Sequence, residues 1–268
     1  MYALRAEGIH KSYGRREEER TEVLEDIDLE IEQGEFVTLL GPSGCGKSTF
    51  LQIMAGLEAP GEGNIYCQGQ PITGPGQKRV LIMQDAALFP WLTVLKNVCF
   101  GLRERGEKRE EARDRARREL KRVGLDHVEG SYPHQLSGGM QQRVALARGL
   151  VLKPEIMLMD EPFAALDEQT RLRLQRQLID LWQEREMTVV FVTHSIRESL
   201  LLSERVLVMS GDPGEIAAEY EIDLPYPRRP GNMKMIELEE EILSRLEPSL
   251  TEQKGEEYGA RAAGGEVS

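Results

Sequence analysis

Residues 41–49 read Gly41-Pro42-Ser43-Gly44-Cys45-Gly46-Lys47-Ser48-Thr49 and fit the pattern G-x-x-x-x-G-K-[ST]. An apolar run, Glu35 to Leu40, precedes them and reads as a buried strand; a helix-compatible run, Thr49 to Ala55, follows. Strand, glycine-rich turn and helix together form a phosphate cradle. Backbone N–H groups of the turn point at an anion, and the helix N-terminus adds partial positive charge. Lys47 supplies a full charge for the β- and γ-phosphates, and Ser48 a hydroxyl for Mg²⁺. The glycines are expected to let the backbone approach the phosphates with no Cβ in the way. Cys45 reads as a small filler inside the loop, not as a nucleophile.

Two further stations carry chemistry. Asp160-Glu161 closes an apolar strand, Ile156 to Met159. Strand C-terminal ends are where α/β sheets bind ligands. Asp160 suits Mg²⁺, directly or through water, and Glu161 suits a base that polarises water for attack on a γ-phosphate. The third station, Ser137-Gly138-Gly139, opens a helix-compatible run to Arg148. It reads either as a second anion site of the same physical type or as a plain helix N-cap with a flexible turn.

The elements that must position these groups follow from pattern. Residues 2–9 and 22–31 alternate as strands around a charged loop at 15–20, and 60–79 reads as short strands and turns. Val80 to Met83, Thr188 to Thr193 and 205–210 read as strands, the first two as buried ones. Helices are expected at 168–186 and 195–203. Strands alternating with helices imply an α/β fold with a right-handed parallel sheet. Between about 85 and 150 the chain reads as a mainly helical insertion. Within it 102–123 is one amphipathic helix, with Leu102, Ala112, Ala116, Leu120 and Val123 on its apolar face. Acidic residues interrupt the basic ones there, so the charged face reads as solvated and not as a nucleic-acid stripe. After residue 222 come a Pro-rich stretch, LPYPRRP, a helix at about 233–247 and a tail, 249–268, whose composition predicts disorder.

The chain of 268 residues is long enough for a large core. Its net charge of −12 lowers the expectation of nucleic-acid binding, which relies on Lys and Arg. No apolar run reaches membrane-spanning length, and the N-terminus shows no signal-peptide pattern. The three cysteines form no CxxC pair and no Cys/His cluster, which argues against structural zinc.

Taken together, GPSGCGKST, LSGGMQQR, IMLMDEP, Ala165-Leu166-Asp167 and Val192-Thr193-His194 stand in the order and spacing of ABC-transporter ATPase cassettes. Roughly residues 1–222 resemble that family, and about 85–150 would be its helical subdomain. The resemblance implies a P-loop NTPase fold: a mainly parallel core sheet, an antiparallel β subdomain and an inserted α-helical subdomain. It implies ATP and Mg²⁺ as ligands and a head-to-tail homodimer clamping two ATP molecules. By position, Gly41, Pro42, Ser43, Gly44, Cys45, Gly46, Lys47, Ser48 and Thr49 would bind ATP, with Tyr13 stacked on adenine; a packed aromatic is the bland alternative for Tyr13. Ser48, Gln84 and Asp160 would attend Mg²⁺. Glu161 would be the catalytic base, with Gln84 beside it, and His194 would contact the γ-phosphate as a switch. Ser137, Gly138 and Gly139 would serve the partner's ATP, and Asp167 would lie at the dimer interface. Met140 stands where many cassettes have Gln.

Three kinds of cassette compete. DNA-repair types insert a long coiled coil between phosphate loop and signature, and no sustained heptads occur here. Ribosome-associated types usually carry two cassettes, and exporter halves are commonly fused to membrane helices. The wording LFPWLTVLKNV at 88–98, with LPYPRRP at 224–230, resembles the nitrate/sulfonate/taurine group of bacterial importers. That resemblance implies two copies of an integral membrane permease, an extracytoplasmic solute-binding protein and a peripheral place on the cytoplasmic face of the membrane. The 85–98 stretch would then receive a coupling helix of the permease; otherwise it staples the helical subdomain shut. A soluble ATPase acting on nucleic acid or ribosomes is the alternative. The solute itself is not legible.

Overall fold

Predominantly apolar runs become central strands here because both faces of the sheet are covered. In the computed structural model, which describes residues 1–14, 20–229 and 231–246, β3 (Phe36–Leu40), β7 (Ile156–Asp160) and β8 (Thr188–Thr193) are buried along their whole length, apart from Asp160. Most of the charged loop at 15–20 and the whole of 249–268 lie outside the described residues. The main sheet has the order β10-β9-β3-β8-β7-β6, with β6 (Arg79–Ile82), β9 (Arg205–Ser210) and β10 (Glu215–Glu221) completing it. Its pairings are parallel except for β10, which runs antiparallel to β9.

Alternation sorts even these doubly buried strands between two cores. Phe36, Met157, Met159, Val189 and Phe191 face one cluster, which also holds the helical insertion. Val37, Leu39, Ile156, Leu158, Val190 and Val192 face the other. That second core is closed by α1 (Lys47–Ala55) and by a four-stranded antiparallel sheet of order β2-β1-β4-β5. In this sheet β1 (Tyr2–Tyr13) pairs with β2 (Thr21–Glu32) and β4 (Glu62–Cys67), and the short β5 is Gln70–Pro71. Ile27, Leu29 and Ile31 turn inward while Asp26, Asp28 and Glu30 face solvent. The observed architecture is therefore α/β, with a mainly parallel core, an antiparallel β layer and a helical insertion.

Three expectations change. Val80 to Met83 was expected as a buried strand, but only Ile82 is buried, and Met83 lies beyond the strand end with 43% of its surface exposed. The reason is position: β6 is the sheet edge, with one flank unpaired. The single helix at 102–123 is two helices, α2 (Val94–Glu104) and α3 (Arg109–Arg122). Gly106 between them adopts φ +82°, a conformation glycine takes without strain and helix cannot accommodate. The apolar positions hold, since Leu102, Ala112, Ala116, Leu120 and Val123 are all buried, together with residues of α4 (Gly138–Leu150). Finally, β10 was not foreseen; Ile216, Ala218 and Tyr220 alternate with Glu215, Glu219 and Glu221.

Helices α5 (Glu168–Arg185) and α6 (Ile196–Leu202) lie within the spans read from sequence. A last helix, α7 (233–246), buries Met235, Ile242 and Leu246 against Leu40, Leu200, Val206 and Val208. The Pro-rich stretch before it straps the end of α6. The Arg228 guanidinium donates to the carbonyls of Leu200, Ser203, Ile222 and Leu224, so a cation meets the C-terminal end of α6. It also lies 4.2 Å from the Tyr226 ring centroid, and the Tyr226 hydroxyl donates to Leu202 O at 2.7 Å.

Arg228→Ala leaves several backbone carbonyls without a donor at once. Hydrogen bonds to charged groups are the stronger class, so urea denaturation should show a loss of about 3 kcal/mol. An unchanged midpoint and slope would contradict the strap.

Candidate active site

Between β3 and α1 the loop 41–46 turns tightly, and its glycines serve different ends. A Cβ on Gly41 would sit 2.3 Å from Met209 O and 2.9 Å from Cys45 Sγ. One on Gly46, at φ +84°, would sit 2.5 Å from Leu24 Cδ2 and 2.8 Å from Val23 O. These two positions are glycine because the loop is pressed against β9 and β2. Only Gly44, at φ +90°, has nothing within 4 Å of the added atom. The expectation that all the glycines clear a path for phosphate is therefore corrected: Gly44 fits it, while Gly41 and Gly46 are packing requirements. Lys47 is buried, and its Nζ donates to Gly41 O at 2.8 Å and to Pro42 O, 3.8 Å from Cys45 Sγ. Burial pushes the Cys45 thiol up, against the pull of Lys47, which suits a neutral filler. Ser43, Gly44 and Ser48 are exposed, Thr49 is half-buried, and Pro42 is buried.

Parallel register brings the other stations to the same sheet edge. Leu40 pairs with Thr193, and Val192 with Asp160, so the loop after β3, the acids ending β7 and His194 after β8 emerge side by side. Burial, with the Glu161 charge beside it, raises the Asp160 carboxyl above its usual range, against the opposing pull of the Ser48 hydroxyl and Lys47. Asp160 Oδ1 is buried without a hydrogen-bond partner. Glu161 holds φ +43°, an unfavourable conformation for a side chain with a Cβ that costs on the order of 1 kcal/mol. Its N–H is anchored on Val192 O at 3.0 Å, and its Oε1 lies 3.2 Å from Nδ1 of His194. The Glu161 side chain is mostly buried, and the His194 ring is 61% exposed.

The remaining candidates lie around this edge. Gln84 follows β6 beside β7 and is exposed, with no hydrogen bond to the acid pair among the described residues. Tyr13 ends β1 with 43% of its surface exposed, and Lys11 Nζ lies 5.0 Å from its ring centroid. Exposure leaves the ring open to stacking and tells against a packed core aromatic. Ser137 is the N-cap of α4, its Oγ accepting from Met140 N at 3.3 Å. Gly138 faces open space, whereas a Cβ on Gly139 would meet Ala165 O at 3.0 Å. Asp167 caps α5 by accepting from Thr170 N at 2.9 Å, and that bond holds its carboxyl below the usual range. Sequence reading passed over Arg143, which donates to Gly139 O and Val123 O and so ties the Ser-Gly-Gly turn to the C-terminal end of α3.

The sequence pattern of the family described as ABC transporter matches residues 24–164. The chain belongs to that family. A Methanocaldococcus jannaschii protein, named as an uncharacterized ABC transporter ATP-binding protein, is 49% identical over 86% of this chain and 86% of its own length. The aliphatic sulfonates import ATP-binding protein SsuB of Bacillus cereus is 43% identical over 90% of this chain and 94% of its own. Among solved structures, the ATP-binding cassette MJ0796, a dimer in a post-hydrolysis state bound to ADP and Pi, covers 83% of this chain and all of its own. Its TM-score is 0.77 at 35% identity.

In this ABC cassette the sheet edge offers what a nucleotide triphosphate requires: turn N–H groups, a buried ammonium and a helix N-terminus for the anion, with carboxylates alongside. Mg²⁺ fits the same place, because Asp160 Oδ1 is a buried hard oxygen lacking a partner and the Ser48 hydroxyl adjoins that carboxylate.

The division among glycines is testable. Gly46→Ala should lower the melting temperature sharply, by roughly 5 °C or more, since backbone and Leu24 must shift. Gly44→Ala should change it far less yet weaken ATP binding in calorimetry. The reverse pattern would overturn the assignment.

Proposed function

We propose that this cassette is the ATP-hydrolysing subunit of a membrane importer for a small solute of the nitrate, sulfonate or taurine type. It works peripherally at the cytoplasmic face with two permease subunits and an extracytoplasmic solute-binding protein. The observation that carries the importer reading is an apolar groove between β6 and the helical insertion. Val80, Ile82, Phe89, Phe100 and Leu152 line it, and Trp91, 71% exposed, stands beside Phe89. The loop bearing Phe89 and Trp91 is held in shape: buried Asn97 bonds to Phe89 N and to the carbonyls of Phe89, Leu92 and Thr93, and Arg148 donates to Ala86 O and Ala87 O. A rigid loop presenting an exposed indole suits a protein partner. The net charge of −12 and the short helices of the insertion tell against nucleic acid and against a coiled-coil ATPase. The likeness to SsuB supports the importer class.

ATP would lie with its adenine on Tyr13 and its phosphates against Gly41–Thr49. Lys47 would exchange its loop carbonyls for β- and γ-phosphate oxygens. Ser48 and Asp160, with Gln84, would hold Mg²⁺, which neutralises phosphate charge. Glu161 would accept a proton from the attacking water, and His194, held beside that carboxylate, would contact the γ-phosphate. Ser137, Gly138 and Gly139 would meet the ATP of a second copy head to tail, with Asp167 at that interface. ATP binding would close the dimer, and hydrolysis would reopen it. The dimeric solved neighbour supports this arrangement.

Two measurements bear on the reading. Glu161→Gln should bind ATP normally, hydrolyse it on the order of a hundredfold more slowly, and form a dimer with ATP in light scattering. Turnover at the normal rate would remove Glu161 as the base, and a persistent monomer would remove closure by ATP alone. The chain has two tryptophans, of which Trp182 is buried. Adding a solubilised permease that co-purifies with the chain should therefore shift Trp91 emission to the blue, and Trp91→Phe should abolish the shift. No shift with a permease that co-purifies would sink the groove as the contact.

A further inference from the structure

Glu198 is a half-buried carboxylate four residues after His194, and the mechanism above does not use it. It lies in the first turn of α6, and both of its oxygens are engaged. Oε2 accepts from the Thr193 hydroxyl at 2.6 Å, and Oε1 accepts from Nε2 of Gln175, a buried residue of α5, at 2.8 Å. The circuit closes through the backbone. Ser195 N donates to Thr193 Oγ1 at 3.1 Å, and Glu198 N donates to Ser195 Oγ at 3.3 Å. Thr193 and Ser195 are the two neighbours of His194. The His194 ring is mostly exposed and meets Glu161 at 3.2 Å, so its direction depends on the backbone that carries it.

We propose that Glu198 is a positioning residue for His194: it clamps the residues on either side and ties them through Gln175 to α5, the helix capped by Asp167. The clamp links two stations that are far apart in sequence, since α5 begins at the proposed dimer interface and ends its contact at the proposed switch. Its relevance to turnover rests on His194 acting at the γ-phosphate, as read above. A carboxylate is not obligatory. In Glu198→Gln the amide oxygen accepts from Thr193, and the amide N–H₂ donates to Gln175 once that side chain turns its own oxygen inward. Glu198→Ala removes both acceptors and leaves two buried donors unpaired.

The test uses the full chain, with rates normalised to folded protein. Glu198→Ala should lower kcat about tenfold with KM for ATP within about twofold, and Glu198→Gln should recover to within about threefold of the parent. In a His194→Ala background, Glu198→Ala should add less than about a twofold further loss, because the two act through one group. The His194 ring resonances, assigned by their absence in His194→Ala, should shift and broaden in Glu198→Ala and return in Glu198→Gln. An undiminished loss in the His194→Ala background, or unmoved His194 resonances, overturns the clamp. Should His194→Ala hydrolyse ATP at the parent rate, the switch reading fails, while the resonances still decide the clamp. If Glu198→Ala does not fold, Gln175→Ala, which removes one partner only, takes its place in each arm.

Discussion

The parallel register of β3, β8 and β7 is the constraint on which everything else rests. Pairing Leu40 with Thr193 and Val192 with Asp160 ends three strands level with one another. Each then delivers its chemistry to one edge: a phosphate loop, a histidine and two acids. Because side chains alternate along a strand, a slip of one residue in any of these pairings would exchange the two cores as well as dismantle the site. Packing and chemistry are thus enforced by the same hydrogen-bond ladder, and neither can drift without the other.

Much of this was legible in the chain. Val37 to Leu40 and Thr188 to Thr193 are apolar but for their threonines, which read as buried strands of a parallel sheet, and GPSGCGKST between a strand and a helix marked the candidate anion site. What composition does not contain is neighbourhood. Val80 to Ile82 is as apolar as the central strands yet lies at the edge, because hydrophobicity does not name a strand's partners. In the stretch 102–123 the periodic apolar residues masked a break that Gly106 signals and that the helix pattern alone overrides. β10 was overlooked because three of its seven residues are glutamates and two are small alanines, although Ile216, Ala218 and Tyr220 alternate as an edge strand should.

The site shows the same division. Residue types at Lys47, Asp160, Glu161 and His194 pointed to a phosphate chemistry, and their level placement follows from strand order. The reasons for glycine did not show, since a missing Cβ looks the same whether it faces Met209 O or open space. Nor did the partners of Glu198, because Thr193 and Gln175 stand on other elements and only folding brings them together. Hydrogen-bond circuits across elements are tertiary facts with no local spacing to betray them.

The tight seat of the phosphate loop has a consequence for where motion can occur. With Gly41 against β9 and Gly46 against β2, the two ends of the turn have little slack in which to shift around an arriving ligand. A cradle preorganised in this way loses little conformational entropy on binding, so its affinity is not spent on ordering itself. Any rearrangement that follows must be carried by bodies hung from the rigid edge: the 83–93 loop, the helices it fastens, and α6 with its strap. The tightly seated turn would thus be the fixed anvil against which those bodies move.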